Sequence, residues 1–307
     1  MVAVRVMLEY FHPWPNSAGF YLARERGWYQ ELGIELELIT HDPYHGDTLA
    51  HLLKGAADFG VFPSNRLLVR RGLGQPLKGI AAINHGGLES IQTLTDSGIT
   101  RPRDLQGKRL ALNPTPRGLA MVRHLVSNDS GDPDAVILVD SGVRELRPDQ
   151  LAEGIADASF GGYWAWEALM PSSIASERRV VLPVDSIGAP PYHSYLLGAH
   201  EQTLTDKPEL VRDFLAATAR GFLAAAQEPG SALAAYESVT PYFPSELLNA
   251  SLNRIAPSWL HNGQWGYQRE ELLSGYAHWL HQYGVLDNPD VWRDATSNVF
   301  LPHPVQP

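Results

Sequence analysis

The chain opens on VAVRVMLEY (residues 2–10), where β-branched residues stand in alternation, and this predicts a strand. FHPWPN follows, and Pro13 and Pro15 forbid regular structure there. From residue 19 the period changes. GFYLARERGWYQELG sets Phe20, Leu22, Ala23 and Trp28 at helical spacing, with Gly33 as the stop. IELELI (34–39) alternates strictly and predicts a half-buried strand. DTLAHLLKG then reads as a short amphipathic helix, ADFGVF as a strand, NRLLVRRGLG as a helix ending in glycine, and LKGIAAIN as a further apolar strand. Strands and helices alternating at this spacing indicate parallel βαβ units.

A second unit begins near residue 95, with a turn, a short helix at 102–105, a strand at 109–112, a loop and the helix LAMVRHL. DPDAVILVDSG adds a strand, and DQLAEGIADASFGG a helix followed by a strand. Beyond RRVVLPVDSIG and SYLLGAH the pattern is helical: PELVRDFLAATARGFLAAAQEP, then 231–238, 245–254 and 268–283. The chain shows no internal repeat and no low-complexity tract.

At 307 residues, two domains are the expectation. A hydrophobic content of 44% and a charged content of 19% fit an ordered globular protein. The net charge of −10 repels nucleic-acid backbones and anionic membranes, so neither is an expected partner. The absence of cysteine removes disulfides, thiolate metal sites, iron–sulfur clusters and thiol nucleophiles. The four lysines thin the supply of Schiff-base candidates. No apolar run reaches the ~18–20 residues of a membrane span. The first residues alternate like a strand, so the expectation is either a cytoplasmic chain starting at Met1 or an exported one whose leader has been removed.

The chemistry-bearing residues come in clusters. His41, His45 and His51 match no structural-zinc spacing, and His278 and His281 suit packing, so no metal site is expected. G-x-S-x-G, Walker and G-x-G-x-x-G patterns do not occur. NPTPRG (113–118) precedes a helix and is either a polar-edge or anion cradle or a plain connecting loop. Residues 160–171, FGGYWAWEALMP, also admit two readings. They are a helix start whose aromatics join the core, or a pocket floor that stacks a flat ring and bonds its polar edge through Glu167. FHPWPN and PPYHSY (190–195) are likewise rich in rings and proline, which supply stiff contact area. In open α/β sheets ligands gather beyond the carboxyl ends of strands, so a cleft between two lobes is the economical hypothesis.

WPNSAGFYLARERGWYQELGIELELI, followed by LLKGAADFGV and LTDSGITRPRDLQGKRLAL, resembles the NMT1/THI5-like, thiamine-pyrimidine-precursor branch of the type-2 periplasmic binding proteins. DSGITRPRDLQGKRLAL matches the family's sGI-x-x-P-x-DL-x-GK segment, and GGYWAWEAL resembles its tyrosine- and glutamate-bearing ligand segment. The resemblance implies an α/β fold of two lobes, each a mostly parallel sheet flanked by helices, with extra C-terminal helices. Residues 1–93 plus 191–307 would form the first lobe and 94–190 the second. The pyrimidine-synthase branch carries a lysine and a histidine where Phe62 and Arg66 stand here, and it has a cysteine-rich segment that this chain lacks. The aromatic sulfinate desulfinase branch has a C-P-x-P-N segment, which resembles HPWPN with His12 in the cysteine's place. The family's histidine near the first helix is Ser17 here.

The expectation is therefore a solute-binding protein that captures a small heteroaromatic, an aminopyrimidine thiamine precursor, for ABC-type import. The alternative is a cytoplasmic desulfinase-like enzyme with His12 as acid or base and Arg66 or Arg117 holding an acidic group. The expected ligand-binding residues are Phe11, His12, Trp14 and Asn16 on the first loop and Ser64 and Asn65 after the strand ADFGVF. Asn113, Tyr163, Trp164, Glu167, Tyr192 and His193 complete the set. No cofactor and no metal are expected. The expected partner is an ABC-transporter permease, without direct membrane insertion. The expected location is extracytoplasmic if a leader was removed and cytoplasmic if Met1 is the native start.

Overall fold

The computed structural model describes residues 1–40, 45–142 and 145–302; His41 lies outside the described residues. The described residues group into two compact units. The first comprises Met1–Gly86, Tyr192–His281 and the stretch from Leu286; the second comprises Gly87–Pro191 and Gln282–Val285.

The first unit begins with β1 (Val2–Leu8), α1 (Ala18–Glu25), β2 (Ile34–Thr40), α2 (Thr48–Leu53), β3 (Phe59–Pro63), α3 (Ser64–Gly72) and β4 (Leu77–Ala82). The helix expected over 19–33 stops at Glu25 for a local reason. Gly27 takes φ +73°, and the amides of Gly27 and Trp28 turn back to the carbonyls of Arg24 and Ala23. This is a left-handed helix terminator, and it overrides the amphipathic pattern that continues through WYQEL.

The second unit holds β5 (Glu89–Leu94), β6 (Arg109–Leu112), α4 (Pro116–Asn128), β7 (Ile137–Asp140), α5 (Pro148–Ala152), β8 (Ala158–Tyr163) and β9 (Arg179–Pro183). The chain then re-enters the first unit with β10 (Tyr195–His200), α6 (Glu201–Asp206), α7 (Pro208–Gln227), α8 (Leu233–Val239) and α9 (Ser245–Ile255). A hairpin of β11 (Leu260–His261) and β12 (Gln264–Trp265) follows, then α10 (Glu270–Gln282) and α11 (Trp292–Ala295).

Each unit is built on a five-stranded sheet: β2-β1-β3-β10-β4 in the first and β7-β6-β8-β5-β9 in the second. The two orders follow one rule. Three parallel strands lie together, and the strand arriving from elsewhere in the chain, β10 or β5, inserts antiparallel between the third and the fourth. β5 begins on the near side of the boundary expected at 93/94, and it pairs with β8 and β9 of the second sheet. The sequence pattern gave no strand there because buried Ser90, Gln92 and Thr93 break its apolar period. They are tolerated because their polar atoms are bonded: Ser90 Oγ donates to Gly162 O (2.6 Å), Gln92 Nε2 to Ser90 Oγ and Thr93 Oγ to Asp157 O.

The first unit's core includes a layer of rings. Phe59 stacks on Phe214 at 4.1 Å, Phe214 on Tyr29 at 5.8 Å, and Phe222 on Trp265 at 5.1 Å. Helices α1 and α7 cross at Gly19 and Gly221; a Cβ on Gly221 would lie 2.0 Å from the carbonyl oxygen of Gly19. In the second unit, Leu94, Ala111, Leu151 and Ala156 form a small core with Val139, Leu146 and Ile174 against it. Thr115 caps α4, its hydroxyl accepting from Gly118 N at 3.1 Å with Pro116 in the first turn. Thr115→Ala should lower the second unit's stability by about 1 kcal/mol, read from its denaturant midpoint. Among the described residues no helix is long and apolar enough to cross a membrane.

Candidate functional site

The candidate residues lie largely beyond the carboxyl ends of neighbouring parallel strands in each sheet. In the first unit, the loop after β1 carries a ring cluster. Tyr10 stacks on Phe11 at 4.3 Å, and His12 stands edge-on to both at 4.8 and 4.7 Å, with Phe243 5.1 Å from His12. Phe11 is 38% exposed. His12 Nδ1 lies 2.8 Å from Pro13 O and donates to it, which fixes the tautomer.

The same loop turns other candidates inward. Trp14 is buried and its indole N–H donates to Glu9 Oε1 at 2.9 Å. Asn16 is fully buried, donating to Glu9 Oε1 (3.0 Å) and accepting from Asn84 Nδ2 (2.8 Å) and Trp259 Nε1 (3.1 Å). Sequence reasoning passed over Glu9. Burial pushes its carboxyl pKa above the ordinary value, against the bonds from Asn16, its own backbone amide and Trp14. A glutamate directly after an apolar strand and just before a ring-rich loop was the signal that could have found it.

Ser64 is buried at the start of α3, donating to His193 O at 2.5 Å; Asn65 beside it is half-buried. Tyr192 is buried and stacks on Tyr276 at 4.6 Å. His193 is wholly buried. Its Nδ1 donates to Asn84 O (3.1 Å) and its Nε2 accepts from Arg269 N (3.0 Å), so both nitrogens serve the backbone and the ring is neutral. Its pKa is pushed down to about 4, mainly by burial. Phe62 is a core residue of β3. Arg66 is exposed and lies 3.4 Å from Asp47.

In the second unit, Asn113 is exposed beyond β6, and Tyr163 ends the adjacent β8, opposite Glu89 of β5. The segment 160–171 is not a helix start. The strand runs through Tyr163, and a short 3-10 turn begins only at Glu167. Tyr163 and Glu167 therefore meet through backbone, not as helical neighbours: Tyr163 N donates to Glu167 Oε2 at 2.7 Å. Trp164 is half-buried, donating to Gly87 O at 2.9 Å, whereas Trp166 is fully buried, so the core reading holds for that indole. The Gly-Gly pair is explained by the backbone: Gly161 has φ +122°, and a Cβ on Gly162 would meet Gln92 Nε2 at 2.5 Å. Arg117, on the first turn of α4, forms a buried two-pronged ion pair with Glu89, Nη1 to Oε1 and Nη2 to Oε2 (3.2 Å).

Two small cavities lie elsewhere, both in the first unit. One of about 290 Å³ is lined by Tyr21, Arg24, Glu25, Ala234, Ala235 and Ser238. The other, about 210 Å³, is lined by His261, Asn262, Gln264, Tyr267, Arg269 and Glu271. Neither is lined by a candidate residue. Among the described residues no cluster of three or more His, Asp or Glu side chains is placed to hold a metal ion.

The formylaminopyrimidine-binding protein of Halalkalibacterium halodurans is 25% identical over 304 residues, covering 96% of this chain and 90% of that protein. The 4-amino-5-hydroxymethyl-2-methylpyrimidine phosphate synthase of Aspergillus parasiticus is 24% identical over 244 residues, 76% of this chain and 70% of the relative. The alkanesulfonate-binding protein SsuA from Xanthomonas axonopodis pv. citri, solved bound to MOPS, superposes with a TM-score of 0.70 at 12% identity. That match covers 97% of this chain and 98% of SsuA. The fold is accordingly that of the periplasmic binding proteins. The NMT1/THI5 like family model matches residues 14–232, and the chain belongs to that family.

Proposed function

We propose that this protein is a solute-binding protein that captures a small heteroaromatic, an aminopyrimidine of the thiamine-precursor kind, without chemically changing it. The observation that carries the reading is the ring cluster beyond β1, with Phe11 exposed at its edge. A flat ring stacked there gains roughly 0.5–1.5 kcal/mol per well-placed pair beyond the area it buries. The name of the Halalkalibacterium relative, matched over nearly the whole chain, supports the same ligand class.

Phe11, His12, Asn65, Asn113, Tyr163, Trp164 and Glu167 remain the ligand-facing residues of this proposal. Trp14, Asn16, Ser64, Tyr192 and His193 are buried and engaged within the protein, and they act as the frame behind them. The pairing of Arg117 with Glu89 favours a ligand without an acidic group, since that guanidinium is already neutralised. The pyrimidine-synthase lysine and histidine positions hold a core phenylalanine and a surface arginine, and the desulfinase thiol has no counterpart. Delivery to an ABC-type permease outside the cytoplasm follows from this reading.

Titration calorimetry with a 4-aminopyrimidine, a flavin and an aryl sulfonate tests it. The aminopyrimidine should bind most tightly, and Phe11→Ala and Tyr163→Ala should each weaken it about three- to tenfold. Equal affinity in both variants would remove the pocket assignment. Turnover of an aromatic sulfinate would replace capture by catalysis.

A further inference from the structure

Glu9 directly follows the carboxyl end of β1 and opens the loop that bears Tyr10, Phe11 and His12. One carboxylate oxygen is committed, Oε1 accepting from both Trp14 Nε1 (2.9 Å) and Asn16 Nδ2 (3.0 Å). The other, Oε2, is shielded from water and has no hydrogen-bond partner among the described residues. Neither donor to Oε1 is a cation. A carboxylate removed from water with one oxygen unbonded is costly, and it is relieved by an N–H donor or a positive charge. Trp14 and Asn16 are themselves buried and fixed, so they aim the carboxyl like a clamp.

Resting on the solute-binding reading, we propose that Glu9 is a specificity residue of that site. Its Oε2 would take a single N–H donor, an exocyclic amine or protonated ring nitrogen, from a heteroaromatic stacked on the neighbouring rings. The chemistry selects amino-substituted or ring-protonated heterocycles over donor-free or anionic ones, because only a donor completes the oxygen. The raised pKa of Glu9 agrees with a site that gains from such a partner. Protein shields Oε2 in this structure, so engagement requires the ring-bearing loop to shift, and ligand binding should change the tryptophan fluorescence through Trp14.

Glu9→Gln is the selective test. The glutamine carbonyl can still accept from Trp14 and Asn16, while an NH2 group replaces the oxygen that takes the donor. Calorimetry with 4-aminopyrimidine should show affinity lowered on the order of ten- to a hundredfold, with the melting temperature unchanged or raised. The wild-type protein supplies a test independent of that variant: 4-methylpyrimidine, which lacks the donor, should bind at least about tenfold more weakly than 4-aminopyrimidine. If the wild type binds 4-aminopyrimidine and either Glu9→Gln matches it or the methyl analogue binds equally well, this proposal fails and the parent reading stands. If the wild type binds no aminopyrimidine, both fail.

Discussion

Lowering the pH from 7 to 4 should cost the first unit about 3 kcal/mol through His85 alone, since each unit of pKa shift is worth about 1.36 kcal/mol. His85 follows β4, and neither of its ring nitrogens has a hydrogen-bond partner among the described residues. Its ring lies 5.1 Å from His193 and 5.7 Å from His261, which comes from β11. Arg269, just before α10, donates to His85 O at 3.3 Å and lies 3.8 Å from Glu271. Burial first, then His193, Arg269 and His261, push the His85 pKa from its ordinary 6.5 down to about 3.

The unfolded chain takes up this proton near pH 6.5 and the folded chain only near 3. The stability is therefore fully present above pH 6.5 and is lost progressively as pH falls toward 3. His193, pushed down to about 4, adds loss of the same sign between 6.5 and 4. Glu9, raised by burial, acts the opposite way in the same unit, relieving strain as it protonates. Denaturant midpoints followed from pH 7 to pH 4 measure the sum. His85→Phe keeps a ring and removes the titrating group. It should leave stability at pH 7 within about 1 kcal/mol and flatten the acid limb, since an unbonded buried polar group is replaced by an apolar one. An unchanged acid limb in that variant would exclude His85 as its source.

Gly221→Ala should destabilise the first unit by about 3 kcal/mol, at the upper end of overpacking costs. The added methyl would sit 2.0 Å from Gly19 O and 2.9 Å from Ala23 Cβ, so α1 and α7 must move apart. The nearest obstacle is backbone, which no rotamer change can clear. Gly275 offers the contrast. It lies in α10 with nothing within 4 Å of a new Cβ, and Gly275→Ala should stabilise by about 0.5–1 kcal/mol. Guanidinium denaturation of the two variants side by side decides it. If Gly221→Ala behaves like Gly275→Ala, the two helices do not depend on a close approach at Gly19 and Gly221.

Much of this fold could be read along the chain. β1, β2, α4, α7 and α9 lie where apolar periodicity puts them, because each buries one face or stripe of a regular element. β5 could not be read this way, since its buried polar residues are paid for by partners 64 and 72 positions away. The hairpin of β11 and β12 was legible and overlooked: Asn262 and Gly263 take φ +51° and +73°, the left-handed pair that an Asn-Gly turn supplies.

The candidate site divides along the same line. The residues themselves indicated where rings and carboxylates fall after strands, and the family to which those segments belong. Which of those side chains are taken up within the protein depended on distant partners. His193 is engaged by Asn84 and Arg269, Asn16 by Asn84 and Trp259, and Arg117 by Glu89. Local pattern determines the elements, because a helix or strand needs only its own periodicity to bury a face. Hydrogen-bond accounts close across the whole fold, so only the tertiary structure decided that Trp14 and Asn16 are buried with both bonded to Glu9 Oε1, and that Glu9 Oε2 is shielded from water.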